Sequence, residues 1–106
     1  MKFLTKALER KFEKIGSQEH LGDDAVVIAK FFTPWTNWTW YATEYDPEER
    51  MFFGLVKGHE AELGYFIRDE LEDLRGPVGL RIERDLHWSE KTLGEVQNLL
   101  EERGHA

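Results

Sequence analysis

"FFTPWTNWTWYATEYDPEE", residues 31–49, places three of the chain's four tryptophans within six positions, Trp35, Trp38 and Trp40, with Glu44 and Asp46 just beyond them. Pro34 closes the apolar run before it, and Pro47 suits the second position of a turn, so residues 37–45 read as a strand. Side chains on a strand alternate faces. Regular alternation puts Trp38, Trp40, Ala42, Glu44 and Asp46 on one face and Thr39, Tyr41, Thr43 and Tyr45 on the other. The first face is aromatic at one end and acidic at the other. The second is a Thr/Tyr ladder of the kind that suits a half-exposed surface. Trp38 and Trp40 fit a core beneath a helix, since tryptophan is highly buried on average. Trp35, in the loop after Pro34, is the tryptophan expected to be exposed, and with Tyr41 and Tyr45 it forms the candidate contact surface of this stretch.

Outward from this strand, residues 25–32 form a nearly continuous run of β-branched and aromatic residues, as in a strand buried on both faces. Residues 51–57 and 63–67 supply two more strands, joined by the polar loop Gly58-His59-Glu60. Strands this close in sequence make an antiparallel meander. Leu4, Leu8, Phe12 and Ile15 recur at helical spacing over residues 2–15, and Gly16 is the expected stop. A second helix runs from Arg68 or Asp69 to Arg75, with Leu71 and Leu74 under Ile67, and Gly76-Pro77 breaks it. Residues 78–88 alternate loosely and read as extended. Thr92-Leu93-Gly94-Glu95 is a capping box that opens a last helix, with Leu93, Val96, Leu99 and Leu100 inward and Gly104 as its stop. The expectation is one α+β domain over residues 1–106, an antiparallel four- to five-stranded meander with three helices packed mainly on one face.

Composition narrows the function classes. A chain of 106 residues, 41% hydrophobic and 13% aromatic, has enough apolar surface for a core and is unlike a disordered segment. With no cysteine there is no disulfide framework, no thiol nucleophile and no Cys-ligated metal. No run approaches the ~20 apolar residues of a membrane helix, and the first ten residues are too charged for a signal-peptide core, so a cytoplasmic protein without membrane contact is expected. The net charge of −7 is unevenly spread. Residues 1–16 carry five bases and two acids, a net +3; the rest carry nine bases and nineteen acids, a net −10. Phosphate contacts dominate nucleic-acid affinity, so the body is a poor nucleic-acid binder. Only the row Lys2, Lys6, Arg10 and Lys14 on the first helix offers such a surface, with Lys6, Arg10 and Lys14 its candidate contacts. A basic protein surface or a metal ion suits the remainder better.

The one constellation with catalytic potential joins two strands. Extended geometry over residues 81–88 points Glu83, Asp85 and His87 one way, and Leu80, Ile82, Leu86 and Trp88 the other. Carboxylate oxygens and a neutral imidazole suit a divalent metal. Glu44, Asp46, Asp85 and His87 are therefore the candidate ligands, and with Glu83 the candidate machinery of metal-assisted phosphodiester hydrolysis. Ion pairing of these acids with Arg81 and Arg84 is the simpler account. His20, His59 and His105 read as surface residues. No phosphate-cradling loop and no nucleophile elbow is present.

Several strings here recur together in a known family. Lys30-Phe31-Phe32-Thr33-Pro34, Thr39-Trp40-Tyr41-Ala42-Thr43-Glu44-Tyr45-Asp46-Pro47-Glu48 and Phe53-Gly54-Leu55 stand in its order. So do Glu62-Leu63-Gly64-Tyr65, Glu70-Leu71-Glu72, Arg75-Gly76-Pro77-Val78-Gly79-Leu80 and Ile82-Glu83-Arg84-Asp85-Leu86-His87-Trp88. Over residues 26–92 the chain resembles a domain-of-unknown-function family of short bacterial proteins encoded on plasmids and integrative elements. Some members carry the label single-stranded DNA endonuclease. The resemblance implies an accessory protein of mobile genetic elements. Together with the acid-rich body and the lack of a nucleophile, it leads to a non-enzymatic protein-binding module acting on host defence or element maintenance, with no resident cofactor. The alternative is a metal-dependent nuclease acting on single-stranded DNA.

Overall fold

The computed structural model describes residues 2–103. The apolar run of residues 25–32 is divided at Ile28 into β1 (Val26–Val27) and β2 (Ala29–Phe32). Next come β3 (Thr39–Asp46), β4 (Met51–Lys57), β5 (Ala61–Ile67), β6 (Glu83–Arg84) and β7 (Lys91–Thr92). Strands β2 to β6 form one antiparallel sheet in the order β5-β4-β3-β2-β6, and β1 pairs with β7 in a second sheet of two strands. One apolar run thus serves two sheets. At the break, the Ile28 N–H still donates to the Ala42 carbonyl at 2.8 Å, which keeps the chain on β3.

Helices cover both faces of the main sheet. On one side, α1 (Lys6–Ile15) and α2 (Arg68–Asp73) bring Phe12 and Leu71 against Phe31, Trp40, Phe52 and Phe66. On the other, α3 (Leu93–Arg103) brings Leu93 and Val96 against Val27, Tyr41 and Leu55. The α+β meander and the shared face of two helices are as the sequence implies. The third helix on the opposite face removes the half-exposed ladder, because β3 is then buried from both sides. Tyr41 is 1% exposed.

Local signals set the element ends. Thr5 caps α1 by accepting the Leu8 N–H on its hydroxyl at 3.2 Å, so the helix starts at Lys6 and buried Leu4 contributes from the segment before it. Gly16, at φ 68°, ends α1 with its N–H on the Phe12 carbonyl. Helix α2 stops at Asp73, which leaves Leu74 exposed rather than packed under Ile67. Residues 78–88 are extended only at β6; a 3-10 turn occupies Pro77–Gly79. The capping box of α3 forms as expected. The Glu95 N–H donates to the Thr92 hydroxyl at 3.2 Å and the Thr92 N–H donates to Glu95 Oε1 at 3.0 Å. Gly104 and His105 lie outside the described residues. Among the described residues no helix is long and apolar enough to cross a membrane.

The departure that matters most for function is in β3. Its register with β4 runs Ala42↔Gly54 and then Glu44↔Phe53, so Thr43 is an extra residue, a β-bulge. One inserted residue inverts every later side chain. Tyr45 therefore joins the α1 core, with its ring centroid 4.6 Å from Phe52 and 6.0 Å from Phe12. Glu44 and Asp46 pass to the face opposite Trp40, not the same face as regular alternation requires.

Candidate functional site

The bulge is held by a residue from the loop after α1. Gln18 is buried, and its amide nitrogen donates to the carbonyls of Val26 (2.9 Å) and Thr43 (2.8 Å). Its amide oxygen accepts the Val26 N–H at 2.7 Å. One side chain thereby pairs the carbonyl that the bulge removes from the ladder. The Gln18 backbone N–H in turn donates to Glu44 Oε2 at 3.0 Å. Asp46 Oδ1 accepts the N–H groups of Glu48 (3.0 Å) and Glu49 (3.4 Å), which closes the β3–β4 turn.

These carboxylates line a cleft of about 730 Å³ where the end of α1 meets the bulge. Its lining comes from both faces of the sheet, Glu9, Glu13 and Tyr45 on the α1 side and Glu44, Asp46, Phe53 and Tyr65 on the other, while Phe12 and Phe52 lie buried beneath it, 2% and 0% exposed. Among the described residues no lysine or arginine lines it. Ionised carboxylates only accept hydrogen bonds, and aromatic faces attract cations. The cleft therefore favours a cationic group with several N–H donors.

Beside it, Arg68 ties three elements together. Its Nε is 2.6 Å from Glu72, and its NH1 reaches the Tyr45 hydroxyl at 3.1 Å and Glu9 at 3.4 Å. Burial acts to lower its pKa, but the hydrogen bonds to Tyr45 and Glu72 outweigh that and hold it above the usual value.

The four candidate metal ligands and Glu83 do not come together. Glu83 pairs with Phe32, which pairs with Thr39, so it stands level with the start of β3, five residues before Glu44. At ~3.3 Å per residue that is about 16 Å along the strand alone. Glu83 lines a separate depression with Lys2, Glu72 and Arg81. Asp85 Oδ2 is 3.7 Å from Lys30 Nζ, and its Oδ1 accepts the N–H of His87, which is exposed. Among the described residues no group of three His, Asp or Glu side chains could hold one ion. Asp85 is ion-paired, though with Lys30 rather than Arg81 or Arg84. Arg81 donates to the Glu72 carbonyl and Arg84 to that of Lys2.

The aromatic candidates are also rearranged. Trp38, expected in the core, is 39% exposed, lies over Gly58 and sits 6.0 Å from Trp40 between centroids. Trp35, expected at the surface, is half-buried against Gly76, where an added Cβ would stand 2.3 Å from its ring. Tyr41 is core, and Tyr45 is packed under Arg68, so neither is the open contact residue that alternation implies. Lys6, Arg10 and Lys14 do form an exposed row on α1. Gln18, Lys30 and Arg68 escape sequence reading, because each acts on partners brought near only by the fold.

Residues 3–104 match the model of the family described as "Protein of unknown function (DUF2958)". This chain belongs to that family. The match takes in both terminal helices as well as residues 26–92, so the DUF2958 domain includes the α1 carboxylates of the cleft. No curated protein and no solved structure matches the chain.

Proposed function

We propose that this DUF2958 chain is a non-enzymatic protein-binding module whose cleft receives a basic side chain from a partner protein. The observation that carries this reading is the cleft itself, lined by Glu9, Glu13, Glu44 and Asp46 and by aromatic rings, with no lysine or arginine among its described lining residues. Charge-assisted pairs with an arginine are strong and geometrically selective, and a surface of opposite charge steers the encounter. The net −10 of residues 17–106 supports the same partner chemistry. The setting implied by the family resemblance, a mobile genetic element, extends the proposal. The module covers the basic nucleic-acid-binding surface of another protein and so modulates host defence or element maintenance. Scattered carboxylates and the lack of a nucleophile motif favour binding over catalysis.

The test is calorimetric titration with an arginine-rich peptide at low and moderate salt, alongside a glutamate-rich control. Binding of the basic peptide alone is expected, weakening with salt. Glu13→Lys, at an exposed position, should reduce the affinity at least ~10-fold, equivalent to about 1.4 kcal/mol. No heat with the basic peptide at low salt, or an unchanged affinity for the variant, overturns the reading.

A further inference from the structure

Strand β5 is a free edge of the main sheet. Natural edges are usually blocked by lysine, proline or a bulge. β5, Ala-Glu-Leu-Gly-Tyr-Phe-Ile, has no lysine or proline, and its register with β4 is unbroken from Met51↔Ile67 to Lys57↔Ala61. The face it shares with Phe53 and Leu55 carries Ala61, Leu63, Tyr65 and Ile67, and the last three are 54%, 69% and 40% exposed.

The backbone of this edge is also open. The Arg68 N–H donates to the Arg50 carbonyl and the Gly58 N–H to the Glu60 carbonyl, each at 2.9 Å. Even-numbered residues of β5 therefore turn their N–H and C=O groups to β4. Odd-numbered Ala61, Leu63, Tyr65 and Ile67 turn theirs outward. At the centre stands Gly64, with no positive φ, and a Cβ added there would meet nothing within 4 Å. Among the described residues nothing fills the space beside Gly64, so the middle of the edge is open to a second strand.

We propose that β5 pairs antiparallel with β5 of a second copy about a two-fold axis at Gly64, so that one sheet runs through a dimer. This register engages the whole strand. It sets Leu63 opposite Tyr65 and Ala61 opposite Ile67 of the second copy, joining apolar residues whose backbone groups already face the partner. Beyond the strand ends it sets Glu60 opposite Arg68 of the second copy, a charge-complementary pair, and it opposes no acid to an acid. The match of a strand to its own reverse is what a two-fold interface requires, and it favours a second copy over an unrelated peptide. The far edge of the sheet is the two-residue β6, too short to continue the assembly, so pairing stops at two.

The test is sedimentation of the full chain up to ~100 μM, where a micromolar contact populates the dimer. A mass twice the 12.5 kDa of the chain is expected, with Leu63→Lys/Tyr65→Lys monomeric. Register is tested by cross-linking, since the chain has no cysteine. Facing residues of a non-hydrogen-bonded pair have Cα atoms ~4.5 Å apart, within disulfide reach. Under mild oxidation Gly64→Cys should give a covalent dimer and Glu62→Cys should not. A monomer at every concentration overturns the proposal, and so does a dimer that survives the double lysine variant or cross-links equally at both positions.

Discussion

Gln18 shows how one side chain sets the orientation of a functional surface. Without it, Thr43 would leave a buried carbonyl unpaired and Val26 would lose both its donor and its acceptor partner. An unsatisfied buried polar group costs ~1–3 kcal/mol. Gln18→Ala should therefore destabilise the fold by about 3 kcal/mol, read as a lower urea midpoint with an unchanged slope. A shift below ~1 kcal/mol would mean that water or a relaxed backbone replaces the side chain. Nothing in the string Gly16-Ser17-Gln18-Glu19 announces this role, because the partners of Gln18 lie 8 and 25 positions away. Gly54 is the opposite case in kind. A Cβ there would stand 1.9 Å from the Tyr41 carbonyl, so the Gly in Phe53-Gly54-Leu55 is set by contact between β3 and β4.

At the scale of elements, the start of α3 was legible and its consequence is titratable. The Thr92 N–H and then the Thr92 hydroxyl hold the Glu95 carboxyl below its usual range. A group with a depressed folded pKa contributes stability above its unfolded pKa, and that contribution is lost as pH falls through the folded value. Asp69, lowered chiefly by its hydrogen bond to Arg50, acts with the same sign. Acidification from neutrality to below the carboxylate range should lower the thermal midpoint. Glu95→Gln should have a lower midpoint at neutral pH and a shallower acid dependence. A wild-type-like acid slope in Glu95→Gln would remove the cap from the account. Strand β3 is the contrasting element. Its existence and its Pro47 turn follow from local chemistry, whereas the bulge at Thr43 leaves no local mark. The faces of Trp40 and Tyr41 are as alternation dictates, and those of Glu44, Tyr45 and Asp46 are inverted.

For the molecule as a whole, the arrangement of charge is decisive. Glu44 and Asp46 face the cleft at one end of the sheet, while Glu83 and Asp85 stand near the other, Asp85 beside Lys30. Calorimetry with millimolar Mn²⁺ or Mg²⁺ should accordingly show no stoichiometric site; a tight one-to-one isotherm abolished by both Asp46→Asn and Asp85→Asn would contradict this placement. The sequence by itself determined the α+β class, the meander, the Gly16 stop of α1, the capping box of α3 and the net charge, because hydrophobic period, turn chemistry and composition act over a few neighbouring residues. Only the tertiary structure decided which face Glu44 and Asp46 occupy, that Tyr41 is buried and Trp38 exposed, and that β5 is left open. The first depends on one inserted residue in a ladder, and the burial of Tyr41 on α3, distant in sequence, covering the second face. Long-range packing of that kind leaves no periodic trace in the chain.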